Sequence, residues 1–183
     1  MRRYCRKALL FLCCVIALPA MAAAQSEDQS APKQDLAGQN AKQTKQEVGD
    51  WGVECAQKVG EAPRCKMFQH AVSAKARKAV LTWQLGRDAA GNQVMSFQTP
   101  SGLLLPEGVQ MAIDDQPPMV IPFRTCLGQI CEAVVPLSEG LVRAMQAGRK
   151  ATVTVTSLEG KPATLAMSLK GFSGAYKIFA GKP

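Results

Sequence analysis

The stretch Ala79-Val80-Leu81-Thr82-Trp83-Gln84-Leu85-Gly86-Arg87-Asp88-Ala89-Ala90-Gly91-Asn92-Gln93-Val94-Met95-Ser96-Phe97-Gln98-Thr99 decides the fold class. Leu81, Trp83 and Leu85 recur at every second position, and Met95 and Phe97 repeat the pattern after a polar turn over residues 87–92. Successive side chains of a strand point to opposite faces, so this period marks a strand with one buried face. Two such runs around a short polar turn predict an antiparallel hairpin.

The same period continues on both sides of the hairpin. Trp51, Val53 and Cys55 share one face of residues 50–57, and Cys65, Met67 and Gln69 share one face of residues 64–72. Beyond a short apolar run at 103–105, Val109, Met111 and Ile113 alternate, as do Met119, Ile121 and Phe123. Pro122 lies inside that last run and predicts an edge strand, because proline donates no ladder hydrogen bond. Residues 130–137 form another strand, and 151–158 with 163–169 form a final hairpin across Glu159-Gly160-Lys161-Pro162. Two short helices interrupt the pattern. Ser138 caps one over 139–147 with Gly148 beyond it, and Phe172, Ala175, Tyr176 and Phe179 give the tail helical spacing. About eight or nine short strands in roughly 130 residues, with no regular βαβ crossover, predict an all-β antiparallel sandwich.

The ends of the chain set its compartment. Residues 1–24 read as a signal peptide: Arg2, Arg3, Arg6 and Lys7 precede the apolar run 8–18, and Ala22 and Ala24 supply small side chains before Gln25. Ala20 and Ala22 give an equivalent cleavage site two residues earlier. The apolar run is too short to span a bilayer, and no later segment is long enough, so no transmembrane segment is expected after cleavage. Leu12 before Cys13 does not fit a lipoprotein site. Residues 25–47 are polar with no period and are expected to form a disordered lead. The domain is expected over 48–180.

The formal charge is +8, but removing the four N-terminal cations leaves 18 basic against 14 acidic residues. That excess serves solubility more than polyanion binding. Cleavage also leaves four of the seven cysteines: Cys55, Cys65, Cys126 and Cys131. An even count in an exported chain predicts disulfides. Three pairings are open in principle. Local geometry favours Cys55 with Cys65 and Cys126 with Cys131, since each pair flanks one hairpin loop. No C-x-x-C motif or zinc-type spacing competes with this reading.

Catalytic chemistry is missing. His70 is the one histidine and reads as a surface or structural residue; a hydrolase needs histidine beside a nucleophile, or several as ligands. Asp114-Asp115 lies in a proline-rich turn. Glycine-rich phosphate loops are absent, so no cofactor or metal is expected. Trp51 and Trp83 fall on apolar faces, and stacking aromatics are not interleaved with basic residues, which argues against nucleic acid. Lys75, Arg77 and Lys78 form the densest basic group, with Lys58, Arg64 and Lys66 expected near it. These six are the candidate contacts to an anionic surface such as lipopolysaccharide or a host glycan.

Several segments together resemble the invasion-associated locus B family. They are Gly49-Asp50-Trp51-Gly52-Val53-Glu54-Cys55, Cys65-Lys66-Met67-Phe68-Gln69, residues 123–133 with the second cysteine pair, and Ser168-Leu169-Lys170-Gly171-Phe172-Ser173-Gly174-Ala175. Ile130 departs from the pattern, in which glycine often precedes the cysteine. The resemblance covers residues 47–178. It implies an immunoglobulin-like β-sandwich, export, and association with host-cell invasion, and it brings no catalytic residues. The combined expectation is a non-enzymatic periplasmic, surface-exposed or secreted protein that binds an envelope or host-surface protein or glycan. The second expectation is a structural or chaperone-like periplasmic factor.

Overall fold

The computed structural model describes residues 42–73 and 77–181. Residues 1–24, read above as a signal peptide, residues 25–41 of the expected lead, and Lys75 lie outside them. The described chain forms β1 (Lys42–Val48), β2 (Trp51–Gln57), β3 (Arg64–Val72), β4 (Ala79–Arg87), β5 (Gln93–Pro100), β6 (Val109–Ile113), β7 (Met119–Ile121), β8 (Phe123–Leu127), β9 (Ile130–Pro136), α1 (Glu139–Ala147), β10 (Lys150–Thr156), β11 (Pro162–Ser168) and α2 (Phe172–Ala180). A single 3-10 turn, Leu105–Glu107, precedes β6. The strands make a seven-stranded sheet, β1-β2-β3-β4-β5-β9-β8, and a four-stranded sheet, β11-β10-β6-β7. Every pairing is antiparallel.

Alternation explains the core. Trp51, Val53, Met67, Leu81, Trp83, Leu85, Met95 and Phe97 of the large sheet are almost wholly buried, and Met111, Ile121, Val153 and Met167 meet them from the small one. The Trp51 ring stands edge-on to Trp83 at 4.9 Å and to Phe172 of α2 at 5.3 Å. Each such pair adds about 0.5–1.5 kcal/mol to the burial of its area. The β10–β11 hairpin runs across the large sheet. At one end Gln69 of β3 exchanges hydrogen bonds with the Ser168 backbone at 3.0 and 3.2 Å. At the other, the Leu158 amide donates to Gly102, next to Ser101, whose amide donates to Gln129 in the β8–β9 turn.

Two expectations are corrected. Residues 42–47, expected in the disordered lead, are most of β1. All seven residues of β1 pair with β2, yet six of its side chains are exposed. Its stability comes from main-chain hydrogen bonds, so no buried face leaves a period in the sequence. The run 119–123 is two strands in different sheets, because β7 pairs with β6 and β8 with β9. Pro122 sits at the crossing, where a missing amide proton breaks neither ladder. Both strands do lie at sheet edges. Gly148 follows the end of α1 as expected, at φ −76°. It is glycine because a Cβ there would meet Ile113 at 2.6 Å and Leu169 at 2.9 Å.

The helices otherwise follow their signals. Ser138 accepts from the Leu141 amide at 3.2 Å, and Val142 and Met145 are buried. α2 packs against β2 and β3 with Phe172, Ala175 and Phe179 buried. Gly171 at φ 87° and Gly49 at φ 62° lie back to back, where the Cβ of either would strike the other's backbone. That contact places the start of α2 on the β1–β2 turn.

Candidate functional site

The outer face of the large sheet carries rows of side chains fixed by strand register. One row is Glu47, Gly52, Phe68, Gln84, Ser96 and Val134. Gly52 has no side chain, so the Phe68 ring lies over it; a Cβ there would meet that ring at 2.7 Å. The neighbouring row sets Glu54 between Lys45 and Lys66. The Glu54 carboxylate pairs with Lys66 at 3.1 Å and with Lys45 at 3.4 Å. Both ammonium groups also sit 5.7 Å from the centre of the Phe68 ring. The hydrogen bond from Lys66, with that from Lys45 behind it, holds the Glu54 carboxyl below its ordinary range.

This cluster borders a groove of about 580 Å³ lined by Lys45, Glu54, Arg64, Lys66, Gln84 and Arg87, with the Cys55–Cys65 disulfide in its wall. A second groove, of about 770 Å³, adjoins it between residues 61–65, Gly91 and the end of α2. Arg64 and Arg87 line both. Arg87 is held by the Gly91 carbonyl at 3.1 Å and by the Phe179 ring at 5.6 Å. Among the described residues Arg64 has no acidic partner. The first groove thus presents four cations against one carboxylate, and such a concavity attracts anionic groups.

The six basic residues singled out in the sequence do not form one patch. Arg64 and Lys66 line the groove, and Lys58 lies on the adjacent β2–β3 loop, outside either lining. Arg77 and Lys78 are exposed at the opposite end of the large sheet, in the β3–β4 turn. Chain proximity misleads here because β3 runs between the two groups, and its nine residues span roughly 25 Å. Lys45, Arg87 and Phe68 were missed. Lys45 belongs to the strand without a period, and Arg87 reads as a turn residue. Phe68 left one signal: an aromatic on the outward parity of its strand, set against a glycine.

Cys55 is bonded to Cys65 and Cys126 to Cys131, each pair directly opposed across its hairpin. Gly128, at φ 57°, supplies the left-handed residue of the second turn, so Ile130 starts β9 without strain. His70 Nδ1 lies 3.0 Å from the Thr82 hydroxyl, and its ring lies against Phe68. Asp114 accepts from the amides of Lys150 and Arg149 at 3.1 Å, a structural clamp. Among the described residues no group of three or more His, Cys, Asp or Glu is placed to hold a metal, and no helix is long and apolar enough to cross a membrane.

Fold and site together define a disulfide-stapled antiparallel β-sandwich with a cationic sheet face. The Invasion associated locus B (IalB) protein family matches residues 51–180, and the chain belongs to it. It is 36% identical over 127 residues to the Invasion protein B homologs of Brucella abortus strain 2308 and of biovar 1 strain 9-941, covering 69% of this chain and 73% of each relative. The crystal structure of invasion associated protein B from Bartonella henselae superposes with a TM-score of 0.64 at 22% identity, over 75% of this chain and 95% of that one. That likeness shows the shared fold.

Proposed function

We propose that this protein is exported through residues 1–24 and works without catalysis in the periplasm or on the cell surface, where it binds an anionic partner. The partner is an envelope or host-surface protein or glycan, in keeping with an invasion-associated family. The observation that carries the reading is the set Lys45, Arg64, Lys66 and Arg87 on one groove with Glu54 as the lone carboxylate. The nearest approach to a catalytic pair, His70 with Thr82, supports it too. That pair lies in paired strands one row from the end of the sheet, and among the described residues no acidic side chain is bonded to the histidine to orient it as a base.

The test is binding of the mature protein to dextran sulfate, with uncharged dextran as control. Arg64→Ala/Arg87→Ala is expected to weaken binding at least about tenfold, since each charge-assisted contact contributes about 1.5–3 kcal/mol. The thermal midpoint should fall only slightly, by the loss of the Arg87 contacts to Phe179 and the Gly91 carbonyl. Equal binding by the variant and wild type removes the groove from the function. Location is tested separately by external protease on intact cells and by osmotic shock. Cleavage places the protein at the surface, and protection followed by release on shock places it in the periplasm.

A further inference from the structure

We infer that the end of the sandwich opposite the groove is a docking surface for an anionic phospholipid leaflet. The end of the outer face of the large sheet is apolar across five neighbouring strands: Val72 of β3, the half-buried Val80 of β4, Pro100 of β5, Ile130 of β9 and Leu127 of β8, with a register shift between β3 and β4 that sets Val72 opposite Ala79. Pro100 pairs with Ile130 and Ile130 with Leu127. Val80 and Pro100 each lie two residues beyond the paired Thr82 and Gln98, on the same face. The next row, His70, Thr82, Gln98, Glu132 and Thr125, is wholly polar. Leu127 is 76% exposed, Val72 60% and Ile130 55%. Leu158, 62% exposed, reaches the same rim from the small sheet, because its amide is bonded to Gly102.

Charge and area favour a leaflet over a second protein. Arg77 and Lys78 are exposed on the β3–β4 turn beside Val72, while Lys161 is offset by Glu159 on the β10–β11 turn. Cations flanking an exposed apolar line match anionic headgroups above acyl chains. The stripe is one residue deep and bordered by polar side chains. It cannot supply the about 800 Å² per partner of a stable protein interface. Shallow insertion, about 5–10 Å into the headgroup boundary, needs no such area. The rim is also braced: Cys126–Cys131 closes the hairpin that carries Leu127 and Ile130.

The experiment is flotation of the mature protein with phosphatidylethanolamine vesicles, with and without phosphatidylglycerol. Wild type is expected to float with the anionic vesicles and to remain below with the neutral ones. Leu127→Ser/Ile130→Ser should cut the bound fraction at least about tenfold on the anionic vesicles, as exposing two anchored aliphatic side chains requires. It should leave dextran sulfate binding and the thermal midpoint intact. Arg77→Glu/Lys78→Glu should lower flotation in a salt-dependent way. No flotation with either vesicle overturns the inference. So does flotation that survives the serine pair, or that is lost in Arg64→Ala/Arg87→Ala, because the groove would then be the lipid contact. A concentration-dependent dimer that the serine pair dissolves would also overturn it, making the rim an interface between copies of this chain.

Discussion

The two disulfides staple hairpins of the same architecture at opposite ends of the large sheet, and the surfaces around them share no chemistry. Cys55–Cys65 joins residues ten apart in sequence, and the flank of their loop is the cationic groove, with Arg64 beside the cysteine. Cys126–Cys131 joins residues five apart across a tight turn, and the residues next to its cysteines, Leu127 and Ile130, are exposed and apolar. Neither staple sits in the middle of the core. Each holds a strand end where the ladder would otherwise fray. The core fixes the sandwich, and each staple fixes the surface at its own end, where we propose that a partner docks.

The largest test removes what the two ends share. Trp51 is wholly buried and packs on Trp83 and Phe172. Trp51→Ala is expected to cost about 3–5 kcal/mol, from lost transfer energy and the cavity left behind. Urea denaturation should show one transition moved to lower concentration, with both ends lost together. Two separated transitions would mean that the ends fold independently and that no common core links them.

Removing the staples one at a time comes next in size. Loop-closure entropy assigns about 2.7 kcal/mol to the bridge between residues ten apart and about 2 kcal/mol to the one between residues five apart. Cys55→Ser/Cys65→Ser should therefore lower the urea midpoint more than Cys126→Ser/Cys131→Ser. Function should divide the opposite way at each end. The first pair of substitutions should weaken dextran sulfate binding and spare flotation, and the second should do the reverse. Equal effects of both variants on both assays would abolish the distinction between the ends.

Most of the fold could be read from the sequence because burial on one face writes itself as period two. Strands β2 to β6 and β9 to β11 each carry that signature, and the cysteine pairing follows because each bridge is local. The rest fails for identifiable physical reasons. β1 has no buried face and therefore no period. The β7–β8 switch keeps alternating through Pro122 while its pairing partner changes sheet. The groove is assembled by register: Lys45, Glu54, Lys66 and Arg87 come from four strands, and nothing local in the chain says that they meet. The apolar rim was hidden in the same way, since Val72, Pro100 and Leu127 each read as an isolated end-of-strand residue.

The smallest effect separates the ends by pH. The Glu54 carboxyl is held below its ordinary range by Lys66 and then Lys45. A depressed folded value means that ionised Glu54 favours the folded state above the ordinary carboxylate value of about 4.3. That contribution disappears as pH falls through the depressed value. The same protonation removes the one negative charge on the first groove and frees both lysines. Binding of dextran sulfate, whose own charge does not titrate there, should strengthen as pH drops below the ordinary carboxylate range. Glu54→Gln should bind about threefold tighter at neutral pH, the scale of one screened charge at groove distance, and should lose that part of the pH dependence. Flotation through the apolar rim should not respond to the substitution, because Glu54 pairs with Lys66, six residues along β3 from Val72 of the rim. A change in flotation with Glu54→Gln would show that the two ends are coupled through the sheet, and a flat binding profile in wild type would show that Glu54 does not gate the groove.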